Sequence, residues 1–542
     1  MPTIPIDPLI GPKIALRGRV VPMDAQYSVL SRGIIYIERG TIIAVQDAAN
    51  PAPPGFETVP IVDARGTIYP GLIELHNHLA YNALRLWQVP KKYGNRDQWS
   101  GIPEYRRLIS GPMQVVGKTP SLLPALVRYV ECKCLLGGVT TSQGIQLFSN
   151  AGVRRFYRGV VRNAEQTDEA DLPEAVTRID DVDAGNAELF LARLRKQTCF
   201  LLHLSEGVDR AARDHFLALQ MPSGDWAITP QLAGIHCTAL TPVDFERFGK
   251  LGGAMIWSPL SNLLLYGATA DVAAARAAGV RIGIGSDWSP SGSKNLLGEL
   301  KVAWLWAQNM PGFSQRDIVA MATRNAAAIL QWDAVLGSIE PGKRADLLVI
   351  DGMRGDPYGA LIAAKETTIR LVMINGVARY GSPTLLPKLG CKGESITVGG
   401  CERMLYLEQA TQDPDVSGVS LRQAKVVLKD ALARLPQLAL ELEQPKPIVR
   451  ALGEPEPIVW QLALDELHDT GVDLRPRLPL PETQEITGPQ RLQTRALTPL
   501  SQIVTPLVLD PLTVADDPDF IKTLSAQKNL PDLIKQGLAT LL

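Results

Sequence analysis

Four histidines and one aspartate stand in short motifs, each behind an apolar run, in an order that could assemble one metal site. His76 and His78 end Pro-Gly-Leu-Ile-Glu-Leu-His-Asn-His, which begins at Pro70. His203 opens His-Leu-Ser-Glu, which ends at Glu206. His236 lies in Gly-Ile-His-Cys, and Asp287 closes Arg-Ile-Gly-Ile-Gly-Ser-Asp. Side chains alternate along a strand, so His-x-His puts both imidazoles on one face, within reach of a single ion. Neutral imidazole and carboxylate suit zinc and also accept iron or manganese. A divalent ion lowers the pKa of its water toward ~7. The chemistry is therefore hydrolytic: hydroxide adds to an sp² carbon, and Asp287 both ligates the ion and accepts a proton. Glu206 then protonates a departing nitrogen.

Such a site needs strands whose ends meet. From Gly71 to about residue 335, apolar runs such as Cys-Phe-Leu-Leu (199–202) and Ala-Met-Ile-Trp (254–257) alternate with longer helical stretches. That alternation predicts a (β/α)₈ TIM barrel, whose active site gathers residues from successive strand ends. His236 follows His203 by 33 residues and Asp287 follows His236 by 51, a spacing that fits one such site. An open doubly wound sheet would want a glycine-rich phosphate loop. The nearest match, 337–343, is followed by Arg344 and precedes a strand-like run, so it reads as a turn. Residues 1–68 and 337–386 have β texture and together predict a small discontinuous β-sandwich domain beside a barrel of residues 69–336. Residues 387–542 are expected to form a mostly helical and extended C-terminal extension. Positions 391–542 hold 15 prolines and one clear helical pattern, 421–443.

Bulk properties narrow the partners. A chain of 542 residues exceeds one ordinary core, and 46% apolar with 20% charged residues is a globular composition. A net charge of −1 argues against nucleic acid or an anionic membrane as partner. No apolar run approaches 18 residues, and positions 1–12 lack the basic and apolar regions of a signal peptide. Six cysteines are too few to staple this length, and Cys132 and Cys134 are one residue apart, so free thiols in a reducing cytoplasm are expected. The expected partners are a small-molecule substrate and a second copy in a homodimer.

The motifs together resemble the metal-dependent amidohydrolase superfamily, most of all its mononuclear cytosine-deaminase and triazine-hydrolase branch. The resemblance runs from about residue 12 to 386. It rests on Pro-Gly-Leu-Ile before His-x-His, Gly-Val-Thr-Thr (138–141), Ser-Pro-Leu-Ser-Asn (258–262), Gly-Ser-Asp (285–287) and Pro-Gly-Lys-Arg-Ala-Asp-Leu (341–347). It implies His76, His78, His203 and Asp287 as ligands of one divalent ion, zinc, with Fe²⁺ or Mn²⁺ as alternatives. His236 would polarise the substrate's carbonyl or imine, and Glu206 would shuttle protons. Binuclear branches add a carboxylated lysine from an earlier strand. Between Cys134 and His203 the only lysine is Lys196, which precedes a strand, leaving Glu165 as the one carboxylate that could complete a two-metal site. The implied activity cleaves a non-peptide C–N bond, by deaminating a ring or opening a cyclic amide. The alternatives are a binuclear peptidase or lactamase and a non-catalytic scaffold. Two departures leave specificity open: Leu-Ser-Glu replaces aliphatic-Ala-Glu after His203, and a second histidine after His236 is absent.

About 40 residues between His78 and a helix near Leu122 hold Tyr81, Trp87, Tyr93, Trp99 and Tyr105. Long loops at this end of a barrel bind substrate, and aromatics there suit a flat ring. Asn82, Trp99, Gln143 and Trp288 are the expected substrate contacts, and Lys91, Lys92 and Arg96 read as a solvated basic loop.

Overall fold

The computed structural model describes residues 11–167, 169–178, 187–409, 413, 418–444, 458–464 and 498–542. Strands Cys199–Leu204, Leu232–His236 and Ala254–Trp257 are buried at every position, as their unbroken apolar texture requires of parallel strands covered on both faces. Flanked by Ala175–Arg178 and Arg281–Ile284, they form a five-stranded parallel sheet in sequence order. A second parallel sheet joins Leu72–Ile73, Val139–Ser142 and Arg162–Asn163. Backbone hydrogen bonds link the two sheets on both flanks. On one side Ala175 N donates to Ala164 O (2.9 Å). On the other, Leu75 N donates to Ile284 O (3.3 Å), Asp287 N to His76 O (3.0 Å) and His78 N to Asp287 O (2.6 Å).

Helices follow the strands where a capping side chain stops the chain from extending. Asp209 caps Arg210–Leu217 by accepting from Ala212 N, and Thr241 with Asp244 forms a capping box on Pro242–Lys250. Each cap lies a few residues past a site histidine, so the strand end is short and held from both sides.

Both flanks of the chain enter one mixed nine-stranded sheet. Its order is Glu394–Val398, Cys401–Leu405, Val377–Gly381, Ile369–Ile374, Leu347–Asp351, Ile61–Pro70, Ile14–Val20, Leu30–Glu38, Thr41–Asp47. The expected sandwich is thus hydrogen-bonded as a single sheet. Register shifts near Gly18, in the pairings of Ile14–Val20 with both neighbours, sharpen its twist. As a result Leu16 and Ile35 from one half share a core with Leu347 and Leu371 from the other. Two of its strands, within 394–405, come from the segment assigned to the extension. They form a hairpin whose two-residue turn, Gly399-Gly400, has φ of +52° and +78°, values that favour glycine.

The helical pattern over 421–443 is two helices, Leu421–Ala433 and Leu435–Glu443. Pro436 lacks an N–H, so it starts the second helix instead of continuing the first. The first helix packs on Leu123–Leu136. Beyond it, the tail inserts two aspartates under the loops of the parallel sheets. Asp510 pairs with both Lys133 and Lys294 (Lys294 Nζ–Oδ1 2.6 Å), and Asp517 pairs with Lys294 (2.9 Å); all four side chains are buried. All six cysteines are free, and no described helix is long and apolar enough to cross a membrane.

Candidate active site

The four histidines and Asp287 converge at the carboxyl ends of the parallel strands. Asp287 Oδ1 lies 3.0 Å from His76 Nε2 and 3.4 Å from His78 Nε2. The His203 ring centroid is 4.7 Å from that of His76, 5.3 Å from that of His78 and 5.5 Å from that of His236. Two overlapping ligand groups share His76: His76 with His203 and His236, and His76 with His78 and Asp287. Within each group the ligand atoms lie within 4.8 Å of one another. The sequence spacing therefore brings all five residues to one point.

The backbone is bent to do this. Ser205, His236, Cys237 and Asp287 have φ of +53°, +67°, +51° and +66°. Such left-handed positions cost about 1–3 kcal/mol each in a non-glycine residue. Three strand ends are therefore turned against their intrinsic preference where His203, His236 and Asp287 must point inward.

Hydrogen bonds fix which ring nitrogen faces the centre. Gln143 Oε1 accepts from Asn77 N (2.9 Å), so this amide atom must be the oxygen, and His76 Nδ1, 3.0 Å away, must carry the hydrogen. The lone pair of His76 Nε2 then faces Asp287, and this buried nitrogen has no hydrogen-bond partner among the described residues. Two lone pairs aimed at each other at 3.0 Å call for a cation between them, which is the fit a metal ligand pair should show. His236 is set the same way, with Nδ1 2.9 Å from Asn262 Oδ1 and Nε2 turned inward. Burial, then the neighbouring His76, push His203 well below the ordinary imidazole value, and burial also lowers His236. Burial pushes the Asp287 carboxyl up, but the adjacent His76, His236 and His78 outweigh it and hold it low. His203 and His236 are thereby neutral beside the Asp287 carboxylate, and imidazole with carboxylate is a donor set that suits a divalent ion.

Known proteins resemble this chain in sequence and in fold. The Amidohydrolase family model matches residues 219–379. A 5-methylthioadenosine/S-adenosylhomocysteine deaminase of Symbiobacterium thermophilum is 27% identical over 389 residues, covering 62% of this chain and 84% of the relative. Its counterpart from Moorella thermoacetica is 24% identical, covering 66% and 91%. The family match and these relatives support a member of the metal-dependent amidohydrolase superfamily. Solved structures show the same fold. Guanine deaminase from Bradyrhizobium japonicum matches with TM-score 0.52 and 18% identity, over 68% of this chain and 100% of that one. Atrazine chlorohydrolase from Arthrobacter aurescens TC1, complexed with zinc, matches with TM-score 0.51 and 21% identity, over 67% and 94%.

Glu206 is buried beside His236, with Oε2 3.7 Å from His236 Nε2. Trp288 is buried with its ring 5.5 Å from that of His78, and Trp99 lies 6.0 Å from Trp288. Tyr81 and Tyr105 complete an aromatic wall around Trp288. Asn82 and Gln143 are also close, but their amides are spent on the chain. Asn82 donates to Asn77 Oδ1 (2.9 Å) and accepts from Ser289 N (2.7 Å), while Gln143 holds His76 and donates to Thr177 Oγ1 (2.9 Å).

The basic loop is divided. Lys91 and Lys92 are exposed as expected, whereas Arg96 is buried, with Nη1 3.7 Å from Glu206 Oε2. The solvated reading fails for Arg96 because residues 94–95 are tied to the chain just past Glu206, which turns the next side chain inward. Glu165 accepts from Gly144 N (2.8 Å) and Thr177 Oγ1 (2.7 Å), so each oxygen already has a donor. Sequence reasoning missed Tyr266, which donates to Glu206 Oε1 at 2.6 Å, and Asn262 as the partner of His236. Asn262 closes the Ser-Pro-Leu-Ser-Asn motif, and the one sequence signal for Tyr266 is its i,i+4 spacing from Asn262 on the mostly apolar helix Pro259–Tyr266.

Proposed function

We propose that this amidohydrolase uses a single divalent ion to deaminate an aromatic nitrogen heterocycle, releasing ammonia. The observation that carries the reading is the convergence of His76, His78, His203 and Asp287, with Glu206 and His236 side by side at its edge. A divalent ion bound there, zinc by ligand chemistry, supplies an acidified water at neutral pH. His76, His78, His203 and Asp287 hold it. Asp287 takes the water's proton, His236 Nε2 faces the carbon under attack, and Glu206 delivers a proton to the departing amine. Trp288 and Trp99 offer flat faces for the ring. The names of the curated relatives favour an aminated purine.

One ion is favoured over two because Glu165, the carboxylate that could hold a second, already has a donor on each oxygen. The architecture we infer is one eight-stranded (β/α)₈ barrel made from the two linked parallel sheets, with a composite β-domain from the flanks and a tail acting as part of the body. The enzyme would work on small molecules in the cytoplasm.

The test is ammonia release by the metal-loaded protein from 5-methylthioadenosine, S-adenosylhomocysteine, guanine and aminated triazines, with cyclic ureides as controls. Release from at least one aminated ring, with about one metal per chain, is the expected result. Turnover confined to the ureides would replace deamination by ring opening, and about two metals per chain would defeat the single-ion reading.

A further inference from the structure

Glu206 can move a proton only if its carboxylate is aimed, and the structure shows an aiming device from an unexpected quarter. Its Oε1 accepts from the Tyr266 hydroxyl at 2.6 Å, and the same hydroxyl accepts from Trp99 Nε1 at 3.0 Å. All three side chains are buried. With Oε1 engaged, Oε2 is the oxygen that faces His236 Nε2 and Arg96 Nη1, each at 3.7 Å. Burial, and then the Glu206 carboxylate itself, push the Tyr266 phenol well above its ordinary value, so it remains a donor throughout the working pH range.

The two supports come from different elements. Tyr266 is the last residue of Pro259–Tyr266, one turn beyond Asn262, which sets His236. That helix is itself pinned by Leu260 N donating to the buried Glu299 Oε1 (2.9 Å). Trp99 comes from the aromatic loop, fastened next to Glu206 by Gly94 O accepting from Val208 N (2.7 Å) and by Asn95 Nδ2 donating to Asp209 Oδ2 (2.8 Å). Gly207 makes the approach possible: its φ is +143°, and a Cβ there would lie 2.4 Å from Gly94 O.

We propose that Tyr266 is a positioning residue for Glu206, and that Trp99 holds the Tyr266 hydroxyl in place and so ties the aim of Glu206 to the seating of the aromatic loop. The proposal rests on the role given to Glu206 above. It needs no new contact with substrate: a free carboxyl rotates among orientations, and the two donors in series select the one whose second oxygen faces His236.

Tyr266→Phe keeps the ring and removes only the hydroxyl. We expect kcat to fall about tenfold, within the range for removing a group that orients an active-site residue. KM should stay within about twofold and metal content should not change. Trp99→Phe should give a smaller fall in the same direction, and it remains informative should Tyr266→Phe fold poorly. In a Glu206→Gln background, Tyr266→Phe should cost less than about twofold, because the group it aims is already disabled. Crystal structures read the aim without any substrate: Glu206 should hold one orientation in the parent and be turned or split in Tyr266→Phe. An equal fall in both backgrounds, or an unmoved Glu206, would overturn the proposal. A displaced Glu206 in a protein that deaminates nothing would instead count against the deamination reading and leave the positioning intact.

Discussion

Two buried clusters of ionisable groups lie on opposite sides of Asn82, and they are balanced in opposite ways. On one side Lys133 and Lys294 meet Asp510 and Asp517, two cations against two anions. On the other, four imidazoles surround Asp287, two of them, His203 and His236, held neutral by burial, and His76 Nε2 has no hydrogen-bond partner among the described residues. The first cluster is complete within the chain, although its anions arrive from the far C-terminus. The second is complete only with a cation the chain does not supply. Burying charge is costly unless it is paired, so a pairing that closes internally marks structure and one that does not marks function. Asn82 touches both: its carbonyl accepts from Lys133 Nζ (2.9 Å), and its amide holds Asn77 between the two metal-site histidines.

The contrast can be broken most directly at Asp287. Asp287→Ala should lose metal and reduce turnover by ~10⁴-fold or more, about 5 kcal/mol of barrier, with a cooperative unfolding transition retained. Metal analysis alongside calorimetry checks both halves, and a variant that keeps its metal would remove Asp287 from the ligand set. At the other cluster, Asp510→Ala leaves one carboxylate for two buried ammonium groups and should destabilise the protein by about 3–5 kcal/mol. Denaturant unfolding reads this, and a loss under about 1 kcal/mol would mean that the tail is not part of the body.

Glu206→Gln should retain metal and stability while losing turnover by ~10²-fold, about 2.7 kcal/mol. Unchanged turnover would exclude Glu206 from proton transfer. The smallest effect concerns pH. His203 and His236 lie below the ordinary 6.5 in the folded protein, so the unfolded chain binds protons there that the folded chain refuses. Their contribution is present above pH 6.5 and lost as pH falls below it. Metal-free protein should lose on the order of 1–2 kcal/mol by about pH 5.5. Lys133, pushed by burial to about 8, titrates outside that window, so Asp510→Ala should show the same slope. A flat profile in chelator would show that the histidines are not buried neutral.

The site histidines were legible because metal chemistry restricts residue type and strands impose a period of two; His-x-His and three further strand ends required no knowledge of packing. The parallel strands were legible for a related reason, since burial on both faces leaves continuous apolar runs such as 199–202. The hairpin over 394–405 carried a readable Gly-Gly turn but sat beyond the last recognised motif. Arg96 was misjudged because a basic side chain in a polar loop looks solvated until the loop's attachment point is known.

By itself, then, the sequence determined the candidate metal-site residues, the alternation of strands and helices, and the hydrolytic class, because each depends on local periodicity and ligand chemistry. Only the tertiary structure decided that Arg96 and Tyr266 face Glu206, that the amides of Asn82 and Gln143 bond to the chain, and that the tail's aspartates pair with Lys133 and Lys294. Those pairings join residues up to 377 positions apart, as in Lys133 and Asp510. No local pattern encodes which buried charge will meet which, since that depends on where the finished fold excludes water.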